Sequence, residues 1–174
     1  MTIEPKLALR LQFLTRVVRK ECRHLATTDQ RLFSGASPIS HLTELEDNPD
    51  LAERVEAFVG RFGRLQDTVG DKLLPLLLTA MGEKSAAVID NLDRAERLGL
   101  LASADEWVTM RSLRNQMVHE YVEDPAILAS ALQSGHQFVP VLIEAGEKMM
   151  AEIESRGWAI VASGGLQKTQ GSES

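Results

Sequence analysis

The sequence predicts an all-α protein, an up-and-down bundle of four long helices and one short helix. Apolar residues recur at steps of three and four along most of the chain, and alternation with β-branched residues is absent. Aromatic residues make up only 5%. Short connections between successive helices imply antiparallel neighbours. The 174 residues suit one domain, which we assign to residues 1–160, and the Gly- and Ser-rich residues 161–174 predict a disordered tail.

The first helix is predicted from Pro5 to Leu32. Proline suits the first helical turn, where its missing N–H costs nothing. An apolar stripe runs along one face of the helix: Leu7, Leu11, Leu14, Val18, Cys22 and Leu25. Turn residues from 34 to 40 then predict a loop, and residues 41–46 suit a short helical turn.

The second helix begins at Asn48-Pro49-Asp50, which combines a side-chain cap, a first-turn proline and an acid at the positive helix end. Its predicted buried stripe consists of Leu51, Val55, Phe58, Phe62, Leu65, Val69, Leu73 and Leu76.

Three glycines, Gly60, Gly63 and Gly70, lie inside this second helix. Each costs about 1 kcal/mol relative to alanine. We therefore predict that a neighbouring helix approaches closely there. Pro75 predicts a kink in the final turns.

The remaining three helices have clear start and stop signals. A short helix is predicted from Ser85 to Leu98, with Gly99 as its stop. A capping box, Ser103 to Glu106, opens the fourth helix, whose inward stripe is Trp107, Met110, Leu113, Met117 and Tyr121.

The last helix is predicted from Pro125 to Arg156, with Asp124 as its cap and a bend at Pro140. Its predicted inward residues are Ile127, Leu128, Leu132, Phe138, Val139, Leu142, Met149, Met150 and Ile153.

Composition limits the function classes. With 19 basic and 25 acidic residues the net charge is −6, which argues against a protein coated in positive charge for nucleic-acid binding. A single cysteine, no signal peptide and no apolar run of about 20 residues predict a soluble cytoplasmic protein without a membrane partner.

The charge is nevertheless uneven. Residues 1–31 hold seven basic and three acidic residues, a net of +4, and the remainder is −10. One interpretation is a basic cleft formed by the first helix with Arg94, Arg97, Arg111 and Arg114, and the alternative is a basic helix that pairs with acidic neighbours.

Common catalytic and cofactor patterns are missing. The sequence has no glycine-rich phosphate loop, no H-E-x-x-H and no cysteine pair, so we predict no metal and no cofactor. Asp67 and Asp71, four residues apart, suggest a solvated face paired with Arg64 and Lys72.

The most informative stretch runs from Arg111 to Tyr121, near the end of the fourth helix. Asn115 and His119 share a helix face, whereas Arg114 and His119 project about 140° apart on a straight helix. Either the last turn unwinds near His119, or the two groups meet across a two-fold axis with a second chain.

An arginine and a histidine suit phosphodiester chemistry. Histidine titrates near neutral pH and is the best general acid/base here, and arginine binds phosphate through paired hydrogen bonds and stabilises developing charge. The pair fits attack of an RNA 2′-hydroxyl on its own phosphodiester. Spacing alone favours a structural role, because a lone histidine near a helix end is more often a cap or a surface group.

The run Arg114-Asn115-x-x-Val118-His119-x-Tyr121 resembles the R-N-x-x-x-H-x-Y signature of HEPN-domain proteins, specifically the HepT-like toxin group. The resemblance extends from about Phe58 to Leu132. It includes the polar residues Asn91 and Asp93, the turn at residues 97–101 and the lead-in from Trp107 through Met110 and Arg111.

This resemblance implies roles for individual residues. Arg114 and His119 match the catalytic pair of metal-independent ribonuclease toxins that act as homodimers on RNA, and Asn115 matches a positioning group. Tyr121 matches the tyrosine that a nucleotidyltransferase antitoxin modifies with AMP. Arg111 is a further candidate RNA contact. The alternative is a non-catalytic substrate-binding or regulatory module partnered with a nucleotidyltransferase.

Overall fold

The computed structural model describes residues 2–34, 45–120 and 123–159, apart from the side chain of Glu120. Within these ranges every regular element is helical, and the prediction of four long helices and one short helix is confirmed. The second long helix, α2, consists of three consecutive segments. The elements are α1 (Pro5–Phe33), α2 (Pro49–Asp67, Thr68–Leu73 and Leu74–Ala80), α3 (Val88–Arg97), α4 (Ala104–Glu120) and α5 (Pro125–Ser155).

Side-chain contacts establish that α1 and α2 are antiparallel. Arg61 of α2 donates a hydrogen bond to the hydroxyl of Thr28, and Thr68, two turns later, lies 3.2 Å from a carboxylate oxygen of Glu21. Later residues of α2 therefore meet earlier residues of α1.

The same reversed order holds around the rest of the bundle. In α5, His136 contacts Asp29 of α1, and Glu154 contacts Arg19. Helix α4 also runs antiparallel to both α2 and α5. The four long helices therefore alternate in direction, and α3 connects α2 to α4.

The helix starts follow the local signals. The side chain of Asn48 accepts a hydrogen bond from the N–H of Leu51 at 3.2 Å. Ser103 and Asp124 cap α4 and α5 in the same way, with distances of 3.1 and 3.0 Å. Gly99 has a φ of +77° and ends the short helix as predicted.

Helix α3 begins later than predicted, at Val88 rather than Ser85. The side-chain amide of Asn91 pairs with both the N–H and the carbonyl of Ala86, at 2.9 and 3.1 Å. These bonds hold the segment before α3 in a non-helical conformation. Asn91, which is buried, therefore has a structural role at this position.

Helix α2 contains a π-helical turn from Thr68 to Leu73. Pro75 follows almost at once, and it cannot donate a backbone hydrogen bond to the preceding turn. The irregularity predicted at Pro75 therefore takes the form of a widened turn upstream of it. The extra residue rotates the following positions, so Leu77 is buried and Leu76 is only half-buried. Leu76, predicted to lie on the buried stripe of α2, is therefore only partly covered, although it still packs against the core.

Buried apolar residues form one continuous cluster between the helices. The predicted α1 stripe is buried except for the half-buried Leu7. Ile127 is 38% exposed, contrary to prediction, because it lies in the first turn of α5. After α5 the chain folds back on α1, where Gln12 donates a hydrogen bond to the carbonyl of Trp158 at 3.0 Å.

Helix α5 has the length and apolar composition that a membrane-spanning helix needs. Such a composition also occurs in the central helices of bundles, and one face of α5 packs against α1 and α4 here. The predicted loop of residues 35–40, the helical turn at 41–44 and the tail at 161–174 lie outside the described residues.

Candidate active site

Helix α4 carries the motif and is fixed against the bundle by its buried stripe. Trp107, Met110, Leu113 and Met117 are all less than 9% exposed, as predicted. A Cβ on Gly70 of α2 would lie 2.8 Å from the indole nitrogen of Trp107. Glycine at this position therefore allows the indole to lie directly on the α2 backbone, which sets the distance between α2 and α4.

Arg114 lies over α2, about one turn beyond Met110. A Cβ on Gly63 would stand 2.9 Å from its Nε and 3.4 Å from its Cγ. Its Nη2 donates to Oδ2 of Asp67 at 3.1 Å. The predicted close approach of a neighbouring helix is thus confirmed at Gly63 and Gly70, but it was wrong at Gly60, where the nearby atom belongs to Arg64 of α2 itself. Arg114 is held by a glycine beneath it and a carboxylate beside it.

Asp67 does not pair with Arg64 or Lys72, as the sequence suggested, but with Arg114 on the neighbouring helix. The two side chains are 41% and 36% exposed. A guanidinium has five N–H donors, and Asp67 engages one of them. Arg114 therefore keeps donors that face solvent and can bind an anion such as a phosphate.

Asn115 and His119 lie on exposed surface at the end of the same helix. Neither side chain has a hydrogen-bond partner among residues 2–34, 45–120 and 123–159. Helix α4 continues through Glu120, so the last turn does not unwind near His119. The structure therefore brings Arg114 to Asp67 and leaves His119 about 140° away around the helix axis.

Arg111 and Tyr121, the two ends of the informative stretch, differ in what the structure describes. Arg111 is half-buried on α4 and forms no ion pair with the described part of the chain. Tyr121 lies outside the described residues, so its predicted place on the inward stripe stays a prediction. Val118, which precedes His119, is 49% exposed and adds an apolar surface beside it.

A half-buried carboxylate, Glu21, connects α1 to this region. Burial raises the pKa of Glu21, although its hydrogen bond with Thr68 and the charges of Arg64 and Lys72 oppose that shift. The negative charge of Asp67, like burial, raises the pKa of Glu21. One oxygen of Glu21 is buried and has no hydrogen-bond partner in the described part of the chain. The face of α2 that holds Arg114 is therefore electrostatically coupled to α1.

An imidazole–carboxylate pair that no sequence motif indicates joins α5 to α1. Nδ1 of His136 on α5 lies 2.7 Å from Oδ1 of Asp29 on α1, and the Phe33 ring stacks on the imidazole with centroids 4.2 Å apart. His136 is 39% exposed and Asp29 is 17% exposed. The partners are separated by 107 residues, so no local pattern in the sequence could have indicated the pair.

No group of three or more histidine, cysteine, aspartate or glutamate side chains within the described ranges is arranged to hold a metal ion. Comparison of the chain with protein-family models, with curated proteins and with solved structures finds no match. The candidate site is therefore defined by its own geometry and by the motif on α4.

Proposed function

We propose that this protein is a metal-independent RNA endonuclease toxin, in which Arg114 binds the scissile phosphate and His119 transfers protons. The observation that carries the proposal is the placement of Arg114. Its guanidinium is oriented by Gly63 and Asp67 and still presents free donors. An imidazole stands exposed one turn and a half further along the same helix.

The reaction needs only these two kinds of side chain. His119 accepts the proton of a ribose 2′-hydroxyl as that oxygen attacks the adjacent phosphorus. The bond from phosphorus to the 5′-oxygen breaks, and this oxygen takes up the proton from the protonated imidazole. The products are a 2′,3′-cyclic phosphate and a 5′-hydroxyl. Arg114 donates to the non-bridging oxygens, whose negative charge increases in the transition state.

The proposed enzyme is a homodimer. Because α4 is regular, Arg114 and His119 of one chain project in directions about 140° apart. A two-fold axis along α4 would bring His119 of one chain towards Arg114 of the other, since a two-fold interface uses the same surface of both subunits. Exposed Val118 provides apolar surface for such a contact.

The proposed antitoxin is a nucleotidyltransferase that adds AMP to Tyr121. The added phosphate would place bulk and negative charge two residues beyond His119, where RNA phosphate has to bind. Mass spectrometry after co-expression with such a partner should detect AMP on Tyr121, and an unmodified tyrosine beside an active partner would reject this part of the proposal.

A second candidate function has one observation in its favour. Arg114 already has a carboxylate partner in Asp67, as expected of a structural arginine. The alternative is therefore a non-catalytic substrate-binding or regulatory module for a nucleotidyltransferase, with the α4 end as its docking surface.

Incubation of the purified protein with single-stranded RNA in EDTA separates the two functions. We expect cleavage to fragments with 2′,3′-cyclic phosphate ends, and we expect Arg114→Ala and His119→Ala to abolish it. A folded variant of Thr109, on the solvent side of α4, serves as control and should cleave normally. Equal cleavage by all four proteins would reject the assignment, and no cleavage by the wild type would favour the module.

A further inference from the structure

Two grooves lie end to end along the seam between α1 and α2, on the side of α2 near Glu21. The first has a volume of about 360 Å³ and is lined by Arg31, Arg54 and Arg61 among others. The second, of about 290 Å³, is lined by Glu21, His24, Arg61 and Arg64. Arg61 lines both, so the two grooves form one continuous surface, the α1–α2 seam.

The arginines of the seam are not paired with carboxylates of the described residues. Arg31, Arg54, Arg61 and Arg64 form no ion pair with residues 2–34, 45–120 or 123–159. Elsewhere in the same ranges, guanidinium groups do pair, as Arg94 does with Glu83 at 2.6 Å. Unpaired arginines collected in one groove indicate a surface that binds an external anion.

Two of these guanidinium groups are oriented towards the same groove. Nη1 of Arg61 donates to the carbonyl of His24 at 3.2 Å and to the hydroxyl of Thr28, which fixes the side chain across α1. A Cβ on Gly60 would lie 3.5 Å from Nη2 of Arg64, so that side chain lies back towards Arg61. Like charges three residues apart destabilise a helix, and a bound phosphate would offset that repulsion.

The seam leads to the candidate active site. Arg64 and Asp67, the partner of Arg114, are three residues apart on α2, which is about 4.5 Å along a helix axis. We infer that the α1–α2 seam binds the phosphodiester backbone of an RNA strand that continues from Arg114 past Arg64 and Arg61. The inference relies on the proposed function in naming RNA as the ligand.

The residues that line the seam also indicate which part of an RNA strand it contacts and where the binding surface ends. Apart from the imidazole of His24, no aromatic ring is among the described residues that line it, so the seam mainly binds phosphates rather than stacking bases. Asp50 and Glu53 line the far end of the first groove and repel a strand there. Glu21 of α1 is the remaining acid among the described residues that line the seam.

This role also explains part of the charge asymmetry of the sequence. His24 and Arg31 of α1 line the seam, and both belong to the basic first 31 residues. The acidic remainder of the chain does not prevent RNA binding, because the relevant charge is local.

The test measures RNA binding without cleavage. A short fluorescein-labelled single-stranded RNA is titrated with His119→Ala protein over a range of salt concentrations, by fluorescence anisotropy. Introducing Arg61→Gln and Arg64→Gln together into the His119→Ala protein should weaken RNA binding. It should also reduce the slope of log K against log salt by roughly 1.4, because each phosphate contact in single strands contributes about 0.7. Arg64→Gln alone, which removes no hydrogen bond to a described residue, should reduce the slope by about 0.7.

A charge-matched control removes two positive charges elsewhere. The control carries Lys148→Gln, in α5, and Arg156→Gln, just after α5. Each of these two side chains is paired with a glutamate four residues away. This control should leave the slope unchanged. An unchanged slope in the seam variants would overturn the inference and leave RNA cleavage as proposed.

Two other outcomes are equally decisive. Failure of the parent His119→Ala protein to bind RNA at low salt would also overturn the inference. A reduced slope in the seam variants, together with a wild type that does not cleave RNA, would support the seam and reject the endonuclease.

Discussion

Gly63 and Arg114 are matched across the interface between α2 and α4. A Cβ on Gly63 would stand 2.9 Å from Nε of Arg114, closer than such contacts occur. The absence of a side chain on α2 therefore determines where the guanidinium on α4 lies, and Asp67, one turn further on, fixes its orientation.

Replacement of Gly63 by alanine should damage activity without unfolding the protein. The arginine side chain is flexible and can move away, and alanine is a better helix former by about 1 kcal/mol. The guanidinium would then lose its place beside Asp67. Because misplacement of a catalytic group by about 1 Å can cost a hundredfold in rate, we expect RNA cleavage to fall by about that factor.

The matched control for Gly63→Ala is Gly60→Ala, one turn earlier on α2. Its Cβ would lie at an ordinary contact distance of 3.5 Å from Arg64, and cleavage should be retained. Cleavage by Gly63→Ala at the wild-type rate would contradict the role given to this glycine.

Gly70→Ala should instead lower stability. The added Cβ would meet three atoms of the Trp107 indole at 2.8, 3.1 and 3.2 Å, and this ring is rigid and 1% exposed. Overpacking of this kind costs roughly 1–3 kcal/mol, and each kcal/mol shifts Tm by about 2–4 °C for a protein of this size. Circular dichroism melts should show this decrease for Gly70→Ala but not for Gly60→Ala, and equal melting temperatures would exclude the predicted clash.

Glu21→Gln should change how stability depends on pH. Because burial raises the pKa of Glu21 in the folded chain above its ordinary value of 4.5, the folded chain holds this proton to a higher pH than the unfolded chain. Wild-type stability therefore decreases as pH rises from 4.5 through the raised pKa. The glutamine variant lacks this decrease, so it should be the more stable protein at neutral pH and match the wild type below pH 4.5.

Denaturant titrations across this pH range measure the effect of Glu21→Gln. Glu56→Gln, an exposed change on α2, provides the control with the same change in charge. Parallel stability curves for the wild type and Glu21→Gln would show that Glu21 does not titrate differently in the folded chain.

The sequence predicted those parts of the fold that depend on neighbouring residues. The caps Asn48, Ser103 and Asp124 act within two or three residues of their own position, so a local pattern was sufficient. The π turn after Asp67 was not predictable in this way. Its position depends on how α2 packs around Pro75, and it shifted burial from Leu76 to Leu77.

The candidate site was predictable in its members but not in its contacts. The motif on α4 selected Arg114 and His119, and the helical glycines indicated close packing. The partner of Arg114, Asp67, lies 47 residues away, and periodicity within a helix gives no information about such a distant pair. The same limit applies to His136 and Asp29.

Assembly of an active site from two subunits is the central claim, and a mixed dimer of two inactive variants tests it most directly. Arg114→Ala and His119→Ala chains, each inactive alone, are unfolded together, refolded and assayed for RNA cleavage. If Arg114 of one chain acts with His119 of the other, each mixed dimer has one intact site, and random pairing should restore about a quarter of wild-type activity. If the mixture stays as inactive as its two parents while refolded wild type cleaves RNA, the two residues do not act across the two-fold axis.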